Sequence, residues 1–187
     1  MESLVKKYQV IYADPPLQYS STMLGGSSPD KHYKTMNFND LLKLKISNIS
    51  SDDCALFIWS PPSYIDGVMK IIKTWGFKYK TIAFVWIKLK KNKEISAIPG
   101  YWTMPQTEFV LFATKGKMLK YLEKRNIKQI VMSIKTRHSE KPIEVIERIS
   151  EMFGNLKKIE LFARKKYKGW DSFGDEITSD LQHGIID

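Results

Sequence analysis

An acidic residue followed by two prolines ends the first apolar run of the chain: Tyr8 to Ala13 leads straight into Asp14-Pro15-Pro16-Leu17. Proline has no backbone N–H and a fixed φ, so this turn is stiff. The residue before a proline is driven out of the α region. Asp14 is thereby held extended, its carboxylate and the adjoining carbonyls pointing the same way, with no helical turn following to claim those carbonyls. Such acceptors suit the grip of an exocyclic amino group. The N6 nitrogen of adenine is a poor nucleophile because its lone pair is delocalised into the ring. Two acceptors on its hydrogens favour a pyramidal nitrogen and disperse positive charge as it attacks an electrophilic methyl, and proximity supplies much of the remainder. The same four residues also make an ordinary strand-ending turn, because Asp-Pro is common in loops. The tetrapeptide alone leaves both readings open.

The elements that would position such a site follow from apolar periodicity. Short runs rich in β-branched and aromatic residues recur at Tyr8 to Ala13, Cys54 to Trp59, Thr81 to Ile87, Glu108 to Ala113, Gln129 to Ser133 and Lys158 to Ala163. This pattern fits strands buried on both faces. Ile65, Val68, Met69, Ile72 and Trp75 share one helical face, with Gly76 as a stop. Val145, Ile149 and Met152, flanked by Ile146 and Phe153, make a second helix; Pro142 suits its first turn and Gly154 its end. Strand alternating with helix predicts an α/β fold, a mostly parallel open sheet with helices on both faces. The strands either side of Lys88 to Thr107 lack a helical connection and are expected to form an antiparallel pair. Ligands of open α/β sheets bind outside the carboxyl ends of the strands, where Asp14 falls.

Composition narrows the classes. The chain has 187 residues, 43% of them hydrophobic and 27% charged, enough apolar surface for one packed core. We expect one domain over residues 1–177 and a C-terminal tail over 178–187. A lone cysteine, Cys54, excludes an internal disulfide and multi-cysteine metal sites. His32, His138 and His183 are too scattered for metal spacing, so no metal is expected. No apolar run approaches the roughly 18 residues of a membrane span, and a signal-peptide core is missing at the N-terminus. No membrane partner and an intracellular, soluble protein are therefore expected. The formal net charge of +10 attracts polyanions, which makes nucleic acid the leading partner class.

A series of motifs then appears in order: DPPL, HYKTM, CALFIW, a helix ending in WGF, FVWIK, GYW, TEFVLFATKGK, HSEKP, ERIS and KKIELFARKKYKGWDSFGDE. Over Tyr8 to Ile177 this set resembles the MT-A70 family of S-adenosylmethionine-dependent adenine N6-methyltransferases. The resemblance implies a Rossmann-like methyltransferase fold, S-adenosyl-L-methionine as cofactor, and a catalytic segment that precedes the main cofactor segment. It implies that Asp14, Pro15 and Pro16 hold the target amino group and that Tyr33 lies near the target. Lys141 matches a lysine that pairs with the cofactor carboxylate, and the start of a helix is a favourable place for that anion. Arg164 matches a cofactor-contacting arginine and Lys166 a weaker polar contact. Asp175 and Glu176 fall in the segment that closes over the cofactor, where a carboxylate can accept from ribose hydroxyls. Asp175 replaces the asparagine usual in the family, which keeps an acceptor and removes a donor. Leu17 replaces the aromatic of DPPW, which stacks on the base; stacking is worth about 1–3 kcal/mol per base, roughly 10- to 100-fold in retention.

Lys88, Lys90, Lys91 and Lys93 precede Tyr101 and Trp102 in the long connection, a mixture suited to phosphate contacts plus base stacking, or to a merely solubilising loop. Lys115 and Lys117, and Lys165, Lys166 and Lys168, extend the track around the expected site. The resulting expectation is an adenine N6-methyltransferase acting on nucleic acid, in single strands or by flipping the base. DNA is favoured over RNA, because compact members of the family look like prokaryotic or phage modification enzymes. A cytoplasmic location, with a nuclear one still open, accompanies that reading. A homodimer or partner subunit is expected to add substrate grip. The alternative is a catalytically weak or inactive nucleic-acid-binding subunit of a methyltransferase complex.

Overall fold

The computed structural model describes residues 6–17, 36–97, 99–100, 102–134 and 140–181. The apolar runs form β1 (Tyr8–Ala13), β2 (Ser50–Ser60), β3 (Lys78–Leu89), β4 (Thr107–Lys115), β5 (Ile130–Ile134) and β6 (Lys158–Leu161); β7 (Asp171–Phe173) follows. The helices are α1 (Phe38–Lys43), α2 (Ile65–Thr74) and α3 (Ile143–Phe153). Expectation and structure agree on six strands and on α2 and α3. The short α1 and β7 carry too few apolar residues to show a period.

The strands make one sheet in the order β5-β3-β4-β2-β1-β6-β7. β1 is parallel to β2 and β6, β6 to β7, and β3 to β5, whereas β4 is antiparallel to both β2 and β3. Among the described strands β4 alone runs backwards, so the expected antiparallel pair is one side of a reversed strand inserted into a parallel sheet. This is the α/β Rossmann-like methyltransferase fold.

Period-two alternation sorts the sheet into two cores. Ile11, Ala13, Leu56 and Ile58 face α1 and α2, joining Leu41, Val68, Ile71 and Ile72. Val10, Tyr12, Phe57, Trp59, Phe84 and Trp86 face α3, joining Val145, Ile149 and Phe153. Trp75 Nε1 donates to the carbonyl of Leu41 at 2.9 Å and ties α2 to α1. Pro142 sits one residue ahead of α3 as its N-cap, and Gly154 ends it at φ 50°. Beyond residue 177 the chain still packs: Leu181 is buried in the first core, and Asp180 accepts from Ser172 N at 2.9 Å and Oγ at 2.8 Å.

β1 is the switch point that matters for function. The chain leaves it for β2 on one side and returns through α3 to β6 on the other, so a crevice opens at their carboxyl ends. The reversal of β4 brings its first residues to that same edge and sends Lys115 and Lys117 to the far one, where Lys115 pairs in register with Cys54. The basic track expected from Lys115 and Lys117 therefore does not reach the crevice.

The turn after β4 gives a stability test. Gly116 has φ +66°, and a Cβ there would collide with the Asp53 carboxylate and the Asp52 carbonyl; Gly76 has φ +84° with open space around it. Gly76→Ala is expected to cost about 1 kcal/mol from backbone strain alone, and Gly116→Ala on the order of 2–3 kcal/mol from strain plus clash. Urea denaturation of both variants checks the order.

Candidate active site

A cleft of about 330 Å³ lies at the carboxyl ends of β1 and β6, lined by Tyr12, Asp14, Lys141, Glu160, Phe162 and Arg164, with Glu140, Lys165, Tyr167 and Glu176 around it. The volume is within the usual range for small-molecule sites, roughly 300–1,000 Å³. Phe162 turns into its wall through a left-handed φ of 62°, an uncommon conformation for a bulky side chain.

Asp14 is the centre of charge. Its Oδ1 lies 3.1 Å from Lys141 Nζ, and the same ammonium lies 3.1 Å from Glu108 Oε2. Glu108 Oε1 in turn pairs with Lys88 Nζ at 2.5 Å. The result is an alternating chain, Asp14–Lys141–Glu108–Lys88, drawn from β1, the lead into α3, β4 and β3. Burial raises the Asp14 carboxyl, against the pull of Lys141. Burial also acts to raise Glu108, but the two flanking ammoniums outweigh it and hold that carboxyl below its ordinary range. Desolvation works to discharge Lys141, and Asp14 and Glu108 more than reverse this, so it stays charged. Lys141 also stands 5.2 Å above the Trp59 ring and Lys88 5.2 Å above Trp86. Trp59 Nε1 donates to Tyr12 Oη at 2.5 Å, which locks the floor of the cleft.

Sequence and structure part at several residues. Lys88 belongs to β3 rather than to the loop and is half-buried against Glu108; the strand runs two residues further than its apolar pattern. Leu17 is 5% exposed and sits in the first core, bridged to Met36, rather than lining the cleft. The Pro15 carbonyl accepts from Leu17 N at 2.8 Å and the Pro16 carbonyl from Met36 N at 3.0 Å, so both acceptors expected to be open are already engaged. Each keeps a second lone pair. Lys166 is paired with Asp180 at 2.7 Å and Asp175 is exposed; neither lines the cleft. Arg164 and Glu176 do line it, 3.7 Å apart. Lys90, Lys91, Lys93 and Trp102 are exposed, Trp102 by 98%. Tyr33 and Tyr101 lie outside the described residues.

Glu108 and Glu160 escaped the sequence reading. Each is the lone acid of its strand, with an apolar neighbour on one side or both, and a charge set among such residues is anomalous unless it is paired. Glu160 stands beside Tyr12 in register; burial, then the Asp14 carboxylate, push its carboxyl up to about 8.

The comparisons bear on this geometry. The model of the family described as MT-A70 matches residues 8–176, from β1 through the acidic corner and the cleft. The chain belongs to the MT-A70 family. Among its relatives, the type II methyltransferase M.MunI of a Mycoplasma species is 41% identical over 92% of this chain and 78% of that protein. A probable N(6)-adenosine-methyltransferase, MT-A70-like, of Oryza sativa subsp. japonica is 26% identical over 94% of this chain and 24% of its own length. The N(6)-adenosine-methyltransferase catalytic subunit METTL3 of Homo sapiens is 24% identical over 94% of this chain and 29% of its own. The chain thus spans about a quarter of the plant relative's length and under a third of the human one's.

In this MT-A70 protein Glu160 is expected to make stability depend on pH. Its folded pKa exceeds its ordinary value, so its contribution is full below the ordinary glutamate range and is lost as pH rises toward about 8. Glu160→Gln is expected to match the parent in acid and to melt several degrees higher above pH 8, as thermal melts across pH would show.

Proposed function

We infer that this adenine N6-methyltransferase of the MT-A70 family takes its methyl from S-adenosylmethionine and acts on nucleic acid, DNA in preference to RNA. The observation that carries the reading is Asp14, a partly buried acceptor held at the rim of a cofactor-sized cleft by a lysine counter-ion. The donor set of the cleft fits the cofactor: Lys141 and Arg164 suit its carboxylate, Glu176 its ribose hydroxyls, Glu160 its extra positive charge, and Phe162 and Tyr167 offer ring faces. When bound, the cofactor supplies an electrophilic methyl on a sulfonium. Asp14 accepts one N–H of the target amine, and each proline carbonyl, though engaged once, keeps a second lone pair that can accept the other. Lys141 spends two of its three N–H donors on Asp14 and Glu108, which fixes the Asp14 carboxylate and leaves a third donor for an incoming anion.

The loop between β3 and β4 serves the polymer. Lys90, Lys91, Lys93 and Trp102 are all exposed on this loop, a combination for phosphates and unstacked bases. Greater identity to a mycoplasmal type II methyltransferase than to proteins named for adenosine supports DNA, and a cytoplasmic site of action accords with that bacterial relative. Among the described residues no helix is long and apolar enough to cross a membrane. A second subunit, identical or not, would add grip that this basic loop alone lacks. Retention of Asp14 with its counter-ion speaks for a catalytic rather than a silent subunit.

Transfer of labelled methyl to single- and double-stranded DNA and RNA tests the reading. Asp14→Asn is expected to lower kcat by about 100-fold or more; undiminished incorporation would overturn the role. Replacing Lys90, Lys91 and Lys93 by Gln is expected to flatten the log-affinity against log-salt slope by roughly 2–3. An unchanged slope would remove the loop from the interface.

A further inference from the structure

Four carboxylates stand in or around the cleft, and three of them have a cationic partner: Asp14 with Lys141, Glu140 with Lys165 and Glu176 with Arg164. Asp14 has the Lys141 ammonium at 3.1 Å. Glu160 lines the same cleft from the neighbouring strand, and its Oε2 is shut off from solvent with no hydrogen-bond partner among the described residues. Its cross-strand neighbours are Tyr12 on β1 and Ser172 on β7, neither a cation. Lys165, on the segment after β6, is the cation whose field reaches it, and that ammonium is paired with Glu140 at 2.8 Å. Tyr167 and Asp14 add negative or neutral neighbours, Arg164 is shared with Glu176, and Lys141 is committed to Asp14 and Glu108. A buried acid so placed keeps its proton until positive charge arrives.

The geometry points to Glu160 as the residue that tells the charged cofactor from its spent product: it yields its proton to solvent when the sulfonium form enters and takes one up again when only the neutral thioether remains. The inference rests on the cofactor reading above and deepens it. S-adenosylmethionine carries one more positive charge than S-adenosylhomocysteine, and that charge is the counter-ion Glu160 lacks. Protons balance over a turnover. Methylation of the amine sheds one proton and Glu160 regains one, so the net release falls at cofactor entry. Because product brings no added charge and leaves the protonation of Glu160 as it is in the empty cleft, affinity for product is insensitive to this group. Affinity for the cofactor falls by up to about tenfold per pH unit below the pH at which Glu160 titrates.

Isothermal titration calorimetry near neutral pH, in phosphate and in Tris, counts the protons. In the parent protein the cofactor is expected to release close to one proton and the product close to none. Glu160→Gln, which mimics the protonated acid, is expected to abolish the release while still binding product. Equal release with both ligands, no release with either, or release that survives in Glu160→Gln would overturn the assignment of Glu160 and leave the cofactor reading standing. Failure of the parent to bind either ligand would overturn both. The ratio of cofactor to product Kd across pH, measured without turnover, is a second readout; a ratio that does not change with pH counts against the proposal.

Discussion

Four charges that cannot be buried singly hold this site together. Asp14, Lys141, Glu108 and Lys88 alternate in sign across contacts of 2.5 to 3.1 Å, and each is largely withdrawn from water. Removing one member would leave its neighbour as an uncompensated buried charge, a far larger cost than the loss of one surface ion pair. Because the four come from β1, the lead into α3, β4 and β3, the chain of charges forms only when those elements have met. It thereby links catalytic geometry to correct assembly of the sheet.

The reversed β4 explains how this is possible. In a wholly parallel sheet the residues gathered at the carboxyl edge come from strand ends. Reversal of β4 delivers the start of a strand to the same edge, and that start carries Glu108. Two aromatic rings, Trp59 and Trp86, lie beneath the two lysines at 5.2 Å each and keep the cations over π faces rather than bare hydrocarbon. The cleft therefore has a rigid, electrically balanced wall on its β1–β4 side. On its β6 side stands Glu160, a carboxyl with no ion pair among the described residues. Two acids on adjacent strands are thus set to different tasks by their surroundings, as paired carboxylates in active sites often are.

Much of the architecture was legible in one dimension. Six strands and two helices announced themselves because a doubly buried strand must be apolar throughout and an amphipathic helix must repeat its apolar face. The acidic corner after β1 was legible because two prolines constrain the backbone locally, whatever surrounds them. Other features were not. β7 is three residues long and gains its place only by pairing with β6 and by the Asp180 bonds to Ser172. Leu17 stands where the family has its base-stacking aromatic, yet the turn folds it under, against Met36 and the first core. Lys88 read as the first of a basic run, yet Glu108 claims it.

What the amino-acid sequence determined alone is whatever depends on near neighbours: apolar periods, proline-stiffened turns, helix ends, net charge, and the ordered motifs that mark the MT-A70 family. What only the tertiary structure decided is which charges neutralise one another. Lys88 and Glu108 are twenty residues apart and Asp14 and Lys141 over a hundred, and nothing in local sequence ranks these pairings above the many others that thirty basic and twenty acidic residues permit. Coulomb energy in a low-dielectric interior falls with distance and rises with burial, and both quantities exist only after the sheet has closed.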